Sequence, residues 1–193
     1  MKNKKLFVYI IIFLIIVLAV IVYFKNKDFK DSDNIKIVEY DNLCVSSHVE
    51  KTVNGDSMEP LISSGETLIL LEDYYNCNEV KRGDVVAYAR KQNKNPLIKK
   101  VLVLPGDELE FKINQSNTLE ANLLVNGQML ENSVGEAYQF SEKQKKLISL
   151  YIKDGELVEN AYLIFGEDVL GSLDSRKFGA VGKNGFVGKF EVN

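Results

Sequence analysis

The sequence predicts an all-β fold of mainly antiparallel sheets, preceded by one N-terminal transmembrane helix and interrupted by a short inserted helix. Three observations carry that reading. Short runs of β-branched, aliphatic and aromatic residues recur between clusters of Gly, Asn, Asp and Pro. Residues 6–24 hold no charge, and near residue 141 a helix-start signal joins helical spacing.

The apolar run comes first. At 1.5 Å per residue, 19 residues span roughly 28 Å, close to the roughly 30 Å of a bilayer core. Tyr9 and Tyr23 lie near its ends, at headgroup depth. A cleaved leader has a shorter apolar run followed by small residues, whereas Tyr23-Phe24-Lys25 follows here, so a retained anchor is expected. Lysines flank both sides (Lys2, Lys4, Lys5; Lys25, Lys27, Lys30), so charge leaves the orientation open. The expected division is an anchor over 1–24, a polar stalk over 25–34 and a β-rich domain over 35–193.

Strands are expected at 35–40, 67–71, 85–89, 97–104, 108–113, 161–165 and 186–192. Asn126-Gly127 suits a type I′ turn, which makes 123–130 a hairpin. Ser141 and Gln144 have capping-box form; Leu147, Ile148 and Tyr151 follow at helical spacing, with Gly155 as a stop.

Composition narrows the function. The net charge is -3, and residues 1–24 hold three lysines and no acid, so the remainder carries 21 basic against 27 acidic side chains. That is the wrong sign for a nucleic-acid binder. Two cysteines, Cys44 and Cys77, with one histidine make a poor zinc site, and no metal or cofactor is expected. The cysteines read as packing residues or free thiols before a disulfide.

Ser57 lies in Asn54-Gly55-Asp56-Ser57-Met58-Glu59-Pro60, with no elbow glycines around it. A serine hydroxyl needs a base to become a nucleophile. His48 sits in a polar stretch and reads as a surface imidazole. A lysine serves only when burial lowers its pKa, so it belongs in an apolar strand. Lys99 and Lys100 meet that condition: successive strand residues face opposite ways, so one can enter the core. Periodicity does not say which, and two lysines protecting an edge strand are the plainer alternative.

Ser57-Met58-Glu59-Pro60 resembles the Ser-Met-x-Pro box of type I signal peptidases, membrane-bound Ser/Lys endopeptidases. Ile98-Lys99-Lys100-Val101-Leu102-Val103-Leu104-Pro105-Gly106-Asp107 is similar to their Ile-Lys-Arg-Val-Ile-Gly-Leu-Pro-Gly-Asp box. Gly83-Asp84-Val85-Val86, Val125-Asn126-Gly127 and the stretch from Gly166 to Arg176 match further boxes in family order. The resemblance implies an all-β peptidase domain outside the membrane, with the N-terminus in the cytoplasm. It implies Ser57 as nucleophile, Lys99 as general base, and Lys100 in the family's arginine position with a charge-pairing or surface role. Ser172 takes the position whose hydroxyl orients the amine, and Asp174 and Arg176 those of a supporting ion pair. The Ser57 N–H is the first oxyanion donor; Gly55 stands where some relatives have a serine, so a second donor falls to backbone or water. Secreted preproteins with small residues at the first and third positions before the cut become the implied substrates, and lipid a contact. Glu167, Asp168, Val169 and Gly171 depart from the family pattern. An inactive, membrane-tethered binding module is therefore the alternative.

Overall fold

The computed structural model describes residues 45–90, 95–114 and 117–192. The expected anchor, stalk and first strand, and Cys44, lie outside the described residues. Among the described residues no helix is long and apolar enough to cross a membrane.

Among the described residues every strand pairing is antiparallel. The largest sheet has six strands: β1 (Ser47–Thr52), β2 (Thr67–Glu72), β12 (Phe186–Glu191), β3 (Val85–Tyr88), β4 (Leu97–Val103) and β11 (Leu163–Phe165), side by side in that order. A second sheet joins β5 (Leu109–Asn114), β6 (Asn117–Val125) and β7 (Gln128–Met129), with β8 (Gln139–Ser141) on the other edge of β6. The pair β9 (Ile152–Lys153) and β10 (Glu156–Leu157) stands apart. The helices are α1 (Glu142–Ser149) and α2 (Ser175–Phe178).

The expected hairpin is present: Asn126 and Gly127 have φ of 51° and 78°, and Val125 pairs with Gln128. Those positive angles match the right-handed strand twist, and glycine adopts them without strain. The capping box of α1 is complete, the Gln144 side chain accepting from Ser141 N at 2.9 Å while Ser141 Oγ accepts from Gln144 N at 3.4 Å. The helix ends earlier than expected, at Ser149. Gly155 instead turns the β9–β10 hairpin with Asp154, at φ of 89° and 54°.

Strands β1, β8, β9 and β10 were not expected as strands. β1 reads SHVEKT, too polar to show alternation, and the other three have two or three residues. Cys77 is disulfide-bonded, which corrects the expectation of a packing residue or free thiol.

Two cores position the site. One packs Leu123, Tyr138, Phe140, Ile148, Leu163 and Phe165 between the small sheet, α1 and β11. The other gathers Val53, Met58 and Ile62 against Leu70, Ala87 and Phe190 of the large sheet.

Candidate active site

After β1 the chain makes a tight turn. Glu59 N bonds Asp56 O at 2.9 Å and Ile62 N bonds Met58 O at 2.8 Å. Val53, Met58 and Ile62 point into the core, each contributing about 1.5–3 kcal/mol of apolar burial. Met58 is thus a packing residue, and Ser57, next to it, is left half-buried. The turn and the large sheet enclose a groove of about 720 Å³ whose lining includes Val53, Ser57, Leu70, Ala87, Ile98 and Lys99.

The strand lysines separate as alternation requires. Lys99 is 2% exposed, and its Nζ donates to Ser57 Oγ at 2.7 Å and to Ile98 O at 2.7 Å. Burial pulls the Lys99 pKa down to about 8; nearby Arg176 adds to the effect, while Asp174 and Asp168 oppose it. Lys100 faces the other way and pairs with Glu167 Oε1 at 3.1 Å, so its charge has a partner rather than solvent alone.

The segment 166–176 wraps the site. Asp174 and Arg176 form a two-pronged ion pair, Nε to Oδ1 at 2.9 Å and Nη2 to Oδ2 at 2.6 Å, with both side chains buried. Arg176 also donates to the Val169 and Asp168 carbonyls and lies 5.2 Å over the Tyr138 ring. Tyr138 in turn donates its hydroxyl to Gly166 O at 2.8 Å. The loop reaches the serine directly, since Asp168 N donates to Ser57 O at 3.3 Å.

The positions that depart from the family pattern have partners of their own. Glu167, 1% exposed, bonds Lys100 through one oxygen and Ser133 N through the other, at 2.7 Å. Asp168 Oδ1 accepts from Leu170 N and Gly171 N, both at 2.9 Å. A Cβ on Gly171 would strike the Asp168 carboxylate, so aspartate and glycine fit each other here. The loop is divergent but held.

One expected contact is not made. Ser172 Oγ is buried without a hydrogen-bond partner, so it does not orient the Lys99 amine in this structure. The Ile98 carbonyl takes that place, being one residue away and fixed by the strand, whereas Ser172 depends on the order of a loop. Gly55 points its N–H at Ser64 Oγ, 3.3 Å away, and so is committed within its own turn. His48 sits in β1 opposite Leu71, half-buried rather than the surface imidazole expected, and is not among the residues lining the groove. Sequence reasoning missed Tyr138, Gly166 and the Ile98 carbonyl. Gly166 stood inside a matched box; Tyr138 and a main-chain oxygen carry no sequence signal.

Gly166 makes the tightest approach at the site. A Cβ there would lie 2.5 Å from Ser57 O and would overlap Ser172 Oγ. Gly166→Ala is expected to shift the serine turn and lower kcat about 100-fold, a typical result of misplacing reacting groups by about 1 Å. Peptide-cleavage kinetics beside a thermal melt check this; unchanged kcat would mean that the turn absorbs the methyl.

Known proteins bear on this arrangement. The family profile described as "Signal peptidase, peptidase S26" matches residues 42–193. Signal peptidase IB of Staphylococcus aureus (strain Mu50) is 28% identical over 143 residues, covering 72% of this chain and 73% of that protein. Signal peptidase I of Bacillus caldolyticus is 32% identical over 148 residues, covering 72% and 75%. A crystal structure of a signal peptidase I from Enterococcus faecalis V583 aligns with a TM-score of 0.42 at 22% identity, over 58% of this chain and 97% of that one. With most of its length matched by the family profile, and its motifs in family order, the chain belongs to the signal peptidase family, peptidase S26, as a divergent type I member.

Proposed function

We propose that this protein is a membrane-anchored serine endopeptidase that removes signal peptides from secreted preproteins, with Ser57 as nucleophile and Lys99 as general base. The observation that carries the proposal is the 2.7 Å contact between a buried amine and the serine hydroxyl. Ser57 Oγ attacks the scissile carbonyl as neutral Lys99 takes its proton. The ammonium returns that proton to the departing amine when the C–N bond breaks. Water then opens the acyl-enzyme, with Lys99 again as base. The Ser57 N–H is the first oxyanion donor, and Asp174 and Arg176 hold the loop that bears on Ser57 O.

The large sheet supports an extended substrate. β11 stops at Phe165, opposite Lys100, so among the described residues, 97–99 of β4 have a strand neighbour on the β3 side alone. That free edge opens on the groove, where a peptide can add as a strand while small side chains enter shallow recesses. The uncharged run 6–24 supports a single-pass anchor, and the family resemblance supports a cytoplasmic N-terminus with the domain 35–193 outside, beyond the stalk 25–34.

Ser57→Ala and Lys99→Ala are each expected to reduce preprotein cleavage in detergent to background without loss of fold. Cleavage by the natural protein should rise about tenfold from pH 7 to pH 9, since about one Lys99 amine in ten is neutral at pH 7 with a pKa near 8. Activity surviving in either variant, or a flat profile, would count against the dyad. Binding of signal peptides without any cutting from pH 7 to 10 would instead favour a non-catalytic module.

A further inference from the structure

The Lys99 amine does not bond only to the serine. It also occupies the Ile98 carbonyl, and the position of that carbonyl in the sheet follows from the ladder. Val101 N donates to Asp84 O at 2.8 Å, and the register runs on through Lys100 with Val85, Lys99 with Val86 and Ile98 with Ala87. In an antiparallel ladder hydrogen-bonded and non-hydrogen-bonded pairs alternate. Asp84 with Val101 is bonded, so Val86 with Lys99 is bonded too, and Ala87 with Ile98 is not. The Ile98 N–H and C=O therefore point away from β3, toward the edge that β11 leaves free.

A peptide adding to that edge needs the same carbonyl. Main-chain pairing puts a substrate N–H on Ile98 O, which in the free protein is held by Lys99 Nζ at 2.7 Å. The oxygen has two lone pairs, but two donors on one acceptor weaken each other. The substrate has few other acceptors along so short an edge, so its N–H loosens the bond to the amine. We propose that the Ile98 carbonyl is a shared acceptor, holding the Lys99 amine in the free protein and a backbone N–H of the docked substrate during cleavage. Docking itself then frees the amine to take the Ser57 proton.

The consequence has a definite sign. An acceptor stabilises an ammonium donor more than a neutral amine, so its loss favours the neutral base. The charged groups that act on the amine are Asp168 in the loop and Asp174 and Arg176 at α2. β3 presents Val86 at the register position, and the serine turn presents Ser57. Substrate docking leaves these charges in place but also excludes water from the groove, so the share due to the carbonyl is the part that a single ester removes.

This inference rests on the Ser57/Lys99 reading, and the test separates the two. The full chain in detergent micelles cleaves a peptide with alanine at the first and third positions before the cut. Each non-scissile backbone amide is then replaced in turn by an ester. The acid limb of kcat/KM reports the free protein and that of kcat the substrate complex. For the all-amide peptide the kcat midpoint is expected about one pH unit below that of kcat/KM, a tenfold gain in neutral amine. One ester, at the residue whose N–H meets Ile98 O, should bring the two midpoints closer together. A mere loss of binding raises KM and leaves the midpoints apart. Coincident midpoints for the all-amide peptide, or a gap that no ester narrows, would overturn the shared acceptor while leaving the dyad standing. No cleavage of any peptide would overturn both.

Discussion

Lys99→Met is expected to abolish proteolysis and to stabilise the protein at neutral pH. Losing a general base costs about 10²- to 10⁴-fold in kcat. The stability effect follows from the same burial. The amine titrates near 8 in the folded chain against 10.5 for the free side chain, so between those values the unfolded chain binds more protons. Stability therefore rises with pH through that window. The cost of burying Lys99 is fully present below about pH 8 and relieved by about pH 10.5. Its ceiling is about 3 kcal/mol, from the size of the shift. Methionine removes that cost but leaves Ile98 O without its donor, which takes back about 1 kcal/mol. The net gain should be on the order of 1–2 kcal/mol at pH 7 and should vanish toward pH 10. Urea unfolding in micelles at both pH values reads it. A gain equal at the two values would show that the lysine charge is not what the fold resists.

Arg176→Ala is expected to be the most destabilising change near the site, at about 3–5 kcal/mol. It strands Asp174, which is fully buried and paired through both oxygens, without a counter-charge. It also frees the Val169 and Asp168 carbonyls and removes the cation stacked over Tyr138. Because Asp168 N holds Ser57 O, loosening that loop should lower activity more than the population of unfolded protein explains. Arg176→Lys keeps the charge but not the planar fork, and should recover only part of the loss. Asp174→Leu combined with Arg176→Met should be less destabilised than Arg176→Ala, since no buried charge is left alone. Thermal melts of the three variants check the order. If Arg176→Ala proves the mildest, the pair is not what anchors the loop.

Much of the scaffold was legible because it is local. Asn126-Gly127 names its own turn, and Ser141 with Gln144 names its own cap, each within four residues. Alternation along an apolar strand is enough to put Lys99 and Lys100 on opposite faces. The strands that escaped notice, β1 and β8 to β10, are short or polar and exist through their partners. Ser47–Thr52 becomes a strand by pairing with Thr67–Glu72, which no window along the chain can see.

By itself the sequence determined the class of the fold, the family and the two side chains most worth bringing together. Alternation alone left open which lysine meets the serine and the family resemblance named Lys99; the contact itself joins residues 42 apart along the chain and exists only in the tertiary structure. The tertiary structure also decided that Ser172 stays unbonded while a main-chain oxygen holds the amine. Every residue has a carbonyl, so the one that matters is chosen by where a neighbouring strand stops.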